Sequence, residues 1–302
     1  MAVQNYTDNK EYARNFWAMV HGNANAVINL HDGRDTTTGT YRLPADTYEK
    51  YAKARNAKSL FRKIATVKNT PSGDSCLFLS DSENTVQWVD SQNVDLFENI
   101  EDFRSFRISA HKAALVAKLD EDFVSDVGFD VEEHLVEQLS EDFARAEETA
   151  FINGNGINEP CGILHATKGA GVGAEGLLTF ENIIRLYYSV EDKYSKNGAW
   201  LMNRRTAMAL RFLKNDGGDY VWDHFNDTIF DCPVYISEFM PDEGAVMAYG
   251  DFRYYTIVDR LPLTMRLLYE KFIMEHRIGC IAYEYLDGVL TRPEAVKVLR
   301  TA

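Results

Sequence analysis

The segment Gly169-x-Gly171-x-x-Ala174 carries the glycine spacing of a turn that cradles a dinucleotide pyrophosphate. That chemistry needs helical N–H groups immediately beyond the turn, facing the phosphates. Here the next helical pattern starts only near Thr179, after Glu175-Gly176, so the segment reads as a surface loop. No Gly-Lys-Ser or Gly-Lys-Thr follows these glycines, which removes a P-loop. Glu132-Glu133-His134 lacks the second histidine that would put two imidazoles on one zinc ion, and the seven histidines are otherwise scattered. Cys76, Cys161, Cys232 and Cys280 form no Cys-x-x-Cys pair; they read as reduced thiols, not as a zinc site or a disulfide framework. No Gly-x-Ser-x-Gly elbow presents a nucleophilic serine. Carboxylates are abundant, but nothing in their spacing selects a pair facing across a cleft. The expectation is therefore no catalytic, cofactor-binding or metal-ligating residue, and no enzyme.

The elements that carry these residues are more strongly marked than any motif. A helix covers about 130–152, where Val131, Leu135, Leu139 and Phe143 recur every four residues and Asn153-Gly154-Asn155-Gly156 stops the run. Val136, Ala146 and Ala150 widen its stripe, and its length of roughly 30 Å is enough to cross a domain. Residues 9–21 predict a short amphipathic helix ending at Gly22-Asn23, and residues 44–60 a second helix with Asp46 as N-cap. Thr179 caps a helix running to about Lys196, and another runs from Arg204 to Lys214. Cys76-Leu-Phe-Leu79 and Thr85-Val-Gln-Trp-Val89 flank the polar turn Asp81-Ser-Glu-Asn84, a hairpin over 75–90. One strand-like stretch covers 103–119; 199–203, 233–236, 245–249, 254–258 and 275–285 read as further strands. No regular βαβ alternation is present, so the fold class is α+β.

At 302 residues the chain can bury a substantial core and divides, on length, into about two domains. Its apolar runs are short, Ala113-Ala-Leu-Val-Ala117 among them, so none spans a bilayer as a helix, and the opening residues show no secretory pattern. A net charge of −14 weighs against a protein that wraps nucleic acid through its phosphates. The charge is concentrated. Residues 120–148 hold twelve acids against the single base Arg145, and residues 69–103 hold eight acids with no lysine or arginine. Two such faces suit contact with basic partners, or repulsion of something anionic.

Two long stretches, Lys112-Ala-Ala-Leu-Val-Ala-Lys-Leu-Asp-Glu-Asp-Phe-Val-Ser-Asp-Val-Gly-Phe-Asp-Val-Glu132 and Ala144-Arg-Ala-Glu-Glu-Thr-Ala-Phe-Ile-Asn-Gly-Asn-Gly-Ile-Asn-Glu-Pro-Cys-Gly-Ile-Leu164, enter and leave the long helix. Trp200-Leu-Met-Asn203, Lys214-Asn-Asp-Gly-Gly-Asp-Tyr220, Cys232-Pro-Val234 and Met240-Pro241 follow. Gly250-Asp-Phe252, Tyr255-Thr-Ile-Val-Asp-Arg260, Arg277-Ile-Gly279, Asp287-Gly288 and Glu294-Ala295 complete the series, which spans roughly 41–300. In this order the set resembles the major capsid proteins of tailed phages with the HK97-like fold. The first stretch is similar to that family's strand leading into a long spine helix, and the second to the exit of that helix.

The resemblance implies an N-terminal arm (1–40), a peripheral domain (41–68, 104–178 and 250–302) built on the spine helix, an extended loop (69–103) and an axial domain (179–249). It implies a virion shell protein, made in the host bacterial cytoplasm, that assembles with itself through pentamers and hexamers into an icosahedral head. That head encloses double-stranded DNA without binding it specifically. A portal and decoration proteins are the further partners, and either a separate scaffolding protein serves or none is needed; no membrane and no cofactor are involved. About 40 residues precede the peripheral domain, too few for a built-in scaffold. Some relatives cross-link through a loop lysine, and this loop has none between Lys68 and Arg104, so an uncross-linked shell is expected. Val86 and Trp88 share one hairpin face that only another chain could cover, and Asp81 and Glu83 should meet basic groups of a neighbour among Arg260, Arg266, Lys271 and Arg277. Two other readings remain open on sequence: an encapsulin-like nanocompartment shell enclosing cargo protein, and a soluble enzyme or binding domain with an unfamiliar site.

Overall fold

The computed structural model describes residues 6–30, 39–70, 75–80, 103–126, 128–215 and 217–301. Two helices, α1 (Lys10–Val20) and α2 (Ala24–Asn29), are capped by the side chains of Asn9 and Asn23. Strand β1 (Tyr41–Arg42) leads to α3 (Ala45–Lys58), the single turn α4 (Phe61–Ile64) and β2 (Thr66–Asn69). Then come β3 (Ser75–Ser80), β4 (Phe103–Ile108), β5 (His111–Asp120), α5 (Glu121–Ser125) and the long α6 (Val131–Asn153). They are followed by β6 (Gly171–Glu175), α7 (Phe180–Tyr188), α8 (Asp192–Ser195), β7 (Ala199–Met202) and α9 (Arg204–Phe212). Strands β8 (Trp222–Asp223), β9 (Thr228–Ile229), β10 (Cys232–Ile236), β11 (Ala245–Gly250), β12 (Tyr255–Leu268), β13 (Arg277–Leu290) and β14 (Val296–Arg300) complete the chain.

Strands β12 and β13 form a long antiparallel ribbon at the centre of one sheet. Strand β5 pairs with β13, and β1 and β2 take successive stretches of the other edge of β12. A seven-stranded sheet runs β6-β14-β11-β7-β10-β9-β8, so β6 and β8 are its edges. Strands β3 and β4 make a separate two-stranded ribbon that belongs to neither sheet. The seven-stranded sheet draws β6 and β14 from segments that the sequence reading places in the peripheral domain.

Helix α6 forms where its sequence predicts. The Asp130 carboxylate accepts from the Glu133 N–H at 3.0 Å, and Val131, Leu135, Leu139 and Phe143 are all buried. Their stripe packs on Ala117, Leu119, Cys280 and Ala282 of the first sheet, with Phe16 and Val20 of α1 closing the same core. Each such side chain contributes about 1.5–3 kcal/mol by leaving water. A second core fills the seven-stranded sheet around Trp200, Tyr249 and Leu186. A third joins the two: Phe151 and Ile152 at the end of α6 meet Phe61 and Tyr255 on one side and Leu201 and Ala248 on the other.

The exit of α6 is tied down largely by backbone. Ile163 and Leu164 donate to the carbonyls of Phe151 and Ile152 at 2.8 and 3.0 Å, satisfying acceptors the helix leaves open. The approach is so close that a Cβ on Gly162 would stand 2.5 Å from the Gly154 nitrogen and the Ile152 oxygen. Glycine is required there by contact, not by conformation.

Several expectations change. Among the described residues the N-terminal part has two helices, not one. Pro44, not Asp46, stands at the N-cap of α3; Asp46 lies in the first turn, where a carboxylate suits the helix dipole. The helix expected from Thr179 to Lys196 breaks into α7 and α8 because Val190 turns into the second core and Ser189 Oγ bonds back to Leu186 O at 2.7 Å. The expected strand over 103–119 is two strands in different sheets. The partner of β3 among the described residues is β4, with Ser75 opposite Ile108 and Ser80 opposite Phe103; the expected partner 85–89 and its turn 81–84 lie outside the described residues. Gly169 to Ala174 is not wholly a loop, since β6 pairs in parallel with β14.

Gly162→Ala should destabilise the subunit by about 1–3 kcal/mol, the range for forcing atoms into a packed interior. Urea unfolding of the unassembled protein, compared with Gly128→Ala, where the nearest atom to an added Cβ is Asp126 Oδ1 at an ordinary 3.4 Å, measures it.

Candidate assembly interface

Five charged side chains from four distant segments meet beneath α6. Arg62 of α4 makes two forked pairs: Nε and Nη2 donate to Glu147 at 2.7 Å each, and Nη1 and Nη2 donate to Asp259 at 2.9 and 2.8 Å. Arg55 of α3 reaches Asp259 at 3.4 Å and Glu147 at 3.5 Å and pairs with Glu284 of β13. Its guanidinium lies 5.4 Å from the centre of the Tyr51 ring, and the Tyr51 hydroxyl donates to Glu284 at 2.9 Å. Burial pushes that hydroxyl well above its ordinary pKa, so it remains a donor. Burial also pushes the Asp259 carboxyl up, but hydrogen bonds and charge from Arg62, with Arg55 behind it, outweigh this and hold it below the usual carboxylate value.

Glu147, Asp259 and Glu284 bring their oxygens close enough to ligate one cation. Two guanidiniums fill the space between them, so the arrangement is an ion-pair network and its chemistry is cohesion. Spacing alone did not reveal it. Arg55 and Arg62 lie in an ordinary charged helical stretch, and only the fold shows that both are buried.

The β3–β4 ribbon is rooted on the same ribbon of the first sheet. On the outgoing side Thr70 donates to the Asp259 carbonyl at 3.0 Å. On the return side Ser109 donates to the Asp287 carboxylate at 2.6 Å, with Gly288 N–H at 2.8 Å and His111 Nε2 at 3.5 Å from it. Val258 and Asp287 are directly paired across β12 and β13, so the two roots sit on neighbouring positions. Burial raises the Asp287 carboxyl; the Gly288 and Ser109 N–H groups and the charges of His111 and Arg260 oppose that rise.

Of the residues expected at a subunit interface, Asp81, Glu83, Val86 and Trp88 lie outside the described residues. Arg260 is only 8% exposed and faces Asp287 in its own chain, so it offers no surface charge. Arg266, Lys271 and Arg277 are exposed at the far end of the β12–β13 ribbon, Arg277 lying 3.7 Å from Glu275. Beside them Ile273 and Met274 project from the connection between the strands.

The model of the phage capsid family matches residues 39–301. The chain belongs to that family. Among solved structures, the capsid of an empty GTA particle, computed with C5 symmetry, is 28% identical; the alignment covers 81% of this chain and 90% of that one, with a TM-score of 0.67. The capsid of the native GTA particle is 27% identical over 80% and 89%, with a TM-score of 0.64. A chain from Microbacterium phage Oxtober96 shares the fold at 16% identity over 81% and 91%, with a TM-score of 0.60. A search of curated proteins found no match. The protein is a major capsid protein with the HK97-like fold: it assembles with itself into a shell, and its place is the virion. Family and fold are those of a structural protein, and they favour neither the nanocompartment nor the enzyme.

In this capsid protein the acidity of α6 is divided. Glu147 and Glu148 are buried, Glu148 accepting from Ser237 Oγ at 2.6 Å and from Leu60 N–H at 3.3 Å. Glu133, Glu137 and Glu141 form the exposed stripe, with Lys58 4.0 Å from Glu141 and Lys50 2.8 Å from Glu132. Among the described residues no helix is long and apolar enough to cross a membrane.

Arg62→Ala would leave Glu147 and Asp259 buried with half their pairing gone, an expected loss of about 3–5 kcal/mol. Arg62→Lys should recover only part, since an ammonium cannot make two forks. Asp259 adds an acid dependence of definite sign. A folded-state pKa below the unfolded value of about 4 contributes stability above that pH, and the contribution is lost as pH falls through the folded value. Stability measured by unfolding from neutral pH down to about pH 2 should therefore fall more steeply below about pH 4, and less so in Asp259→Asn.

Proposed function

We propose that copies of this chain close into an icosahedral phage head around double-stranded DNA, through rings of five and six subunits. Residues 179–249, with β6 and β14, form the axial part around those rings; residues 41–68, 104–178 and 250–302, apart from those two strands, form the peripheral part; residues 69–103 extend over a neighbour. The observation that carries this is the pairing of a capsid-family match with a ribbon, β3–β4, that belongs to neither sheet and holds Phe78 out to solvent. A two-stranded ribbon is marginal in water by itself, so a neighbouring subunit is what would order it. The C5 symmetry given for the GTA capsid supports a five-fold ring.

The acidic stripe of α6 suits the inner wall, where carboxylates repel DNA phosphates and leave the genome unbound. The acidic loop meets Arg266, Lys271 and Arg277 of the next subunit, while Arg260 stays within its own. With no lysine in the loop, the shell holds without a covalent cross-link. Synthesis occurs in the host bacterial cytoplasm, and a portal and decoration proteins, with or without a separate scaffolding protein, serve the assembly.

Expression of the chain alone, viewed by electron microscopy, should give capsomers or closed shells; monomers at every concentration would end this reading. Asp81→Lys with Glu83→Lys should leave the subunit folded and weaken assembly. Each exposed pair contributes only about 0–1 kcal/mol, so wild-type assembly should also weaken with salt. Indifference to both would remove the acidic loop from the contact.

A further inference from the structure

A patch at the start of α6 takes no part in the Arg62 network or in the roots of the β3–β4 ribbon. Between α1 and the residues entering α6 lies an open hollow of about 440 Å³. Trp17 and His21 of α1 form one wall, and Phe129, Asp130 and Glu132 form the other. The Trp17 ring is set edge-on against the buried Phe16 ring at 5.3 Å, which holds it in place. Phe129 stands in the middle of a row of rings, 5.6 Å from Phe123 and 5.3 Å from His134. Phe123 is 58% exposed. The turn between them is fixed by Asp126, whose carboxylate accepts from the Gly128 N–H at 2.9 Å. The match to the phage capsid family begins at residue 39, so the wall that α1 supplies lies outside it.

The charges around these rings are mostly of one sign. Residues 121–134 hold six acids and no lysine or arginine. Among the described residues Asp122, Asp126, Asp130 and Glu133 pair with no cation, while Glu132 pairs with Lys50 of α3 at 2.8 Å. Helix α1 adds Lys10 and Arg14 against Glu11, which leaves the patch acidic. Asp130, Glu132 and Glu133 stand where the helix dipole favours acids, which offsets part of their charge; Asp122 and Asp126 lie outside α6. His21 adds an acceptor. Its Nδ1 lies 2.7 Å from the Val124 carbonyl, which can only accept, so Nδ1 carries the proton and the neutral ring leaves Nε2 bare.

We propose that this patch docks a basic, partly apolar segment of a second protein, an arginine or lysine entering between Trp17 and Phe129 and an apolar side chain covering Phe123. Ring faces and carboxylates both attract a cation, and a bare imidazole nitrogen accepts from its N–H groups. A small cation by itself would leave the exposed Phe123 ring uncovered. Steps of 5.6 and 5.3 Å along the row are close to the rise of one helical turn, about 5.4 Å. A helix with basic and apolar side chains one turn apart therefore meets all three rings. A second copy of this chain is the poorer occupant. Its own basic and apolar helix, α9, has Arg211 bound to Asp227 at 2.6 Å and Arg205 3.8 Å from Asp242. The proposal does not rest on the shell reading.

Calorimetric titration of the full chain tests it, using a helical peptide of about 15 residues with arginine and leucine along one face and a scrambled peptide of equal composition. The striped peptide should bind, and the scramble about tenfold more weakly. Phe123→Ser and Glu133→Gln should each weaken the striped peptide by about five- to tenfold. Both side chains are exposed, so circular dichroism and melting should match wild type. Glu238→Gln, an equal change of charge beside the opposite end of α6, should leave the affinity within about twofold. No binding of the striped peptide, equal binding of the scramble, indifference to either patch variant or an equal loss in Glu238→Gln would each overturn the proposal. So would self-association of the wild-type subunit that Phe123→Ser abolishes, since the patch would then belong to a second copy. Should Phe123→Ser unfold the subunit, Phe123→Leu repeats the comparison, keeping apolar bulk and removing the ring.

Discussion

Arg62 stands between two carboxylates that arrive from segments more than a hundred residues apart, Glu147 on α6 and Asp259 on β12, and grips each with two parallel hydrogen bonds. Such forked pairs are directional, so the guanidinium fixes the angle between helix and sheet as well as their distance. Taking five charged groups out of water is expensive, and well-packed apolar residues of equal volume often serve stability as well or better. What the forked pairs add to apolar packing is direction. The network allows α6 one rotation and one height on the sheet, and a subunit that must match many identical neighbours depends on that precision.

The end of α6 shows how the constraint spreads. Successive helical residues point about 100° apart, so Glu147 and Glu148 face different parts of the molecule. Glu147 belongs to the first sheet, and Glu148 to Ser237 beyond β10 and to Leu60 before α4. Asn153, one turn later, donates to the Phe239 carbonyl at 2.8 Å. The helix is amphipathic at its start and buried on nearly all sides at its end, where Phe151 and Ile152 enter the core shared by both sheets. It acts as an axle set into two bodies.

How much of this was legible in the sequence depends on the range of the forces involved. The limits of α6 were plain, because an Asp N-cap, a four-residue apolar period and an Asn-Gly stop all act within a turn or two. The capsid likeness was also plain, since it is an ordered series spread along the chain. The division of Thr179–Lys196 into two helices was not, because Val190 leaves the helix for a core assembled from remote strands. Nor was the pairing of β3 with β4, which joins segments more than twenty residues apart. The Arg55–Arg62 network was invisible, since a buried arginine and a solvated one look alike until the fold surrounds them. Arg260 taught the same lesson in reverse: a cation expected at the surface is enclosed beside Asp287.

The excursion from residue 70 to residue 109 leaves the body at Asp259 and returns at Asp287, across one pair of adjacent strands. Its two ends are thus held about one strand spacing apart by the sheet, whatever lies between them. Closing a longer loop between fixed ends adds only about 0.6 kcal/mol for each doubling of its length. The body of the subunit therefore tolerates change there better than anywhere in its cores. A foreign peptide inserted in that excursion leaves both roots intact, so the subunit should fold around it, and its cost should appear only where the excursion meets a neighbouring copy.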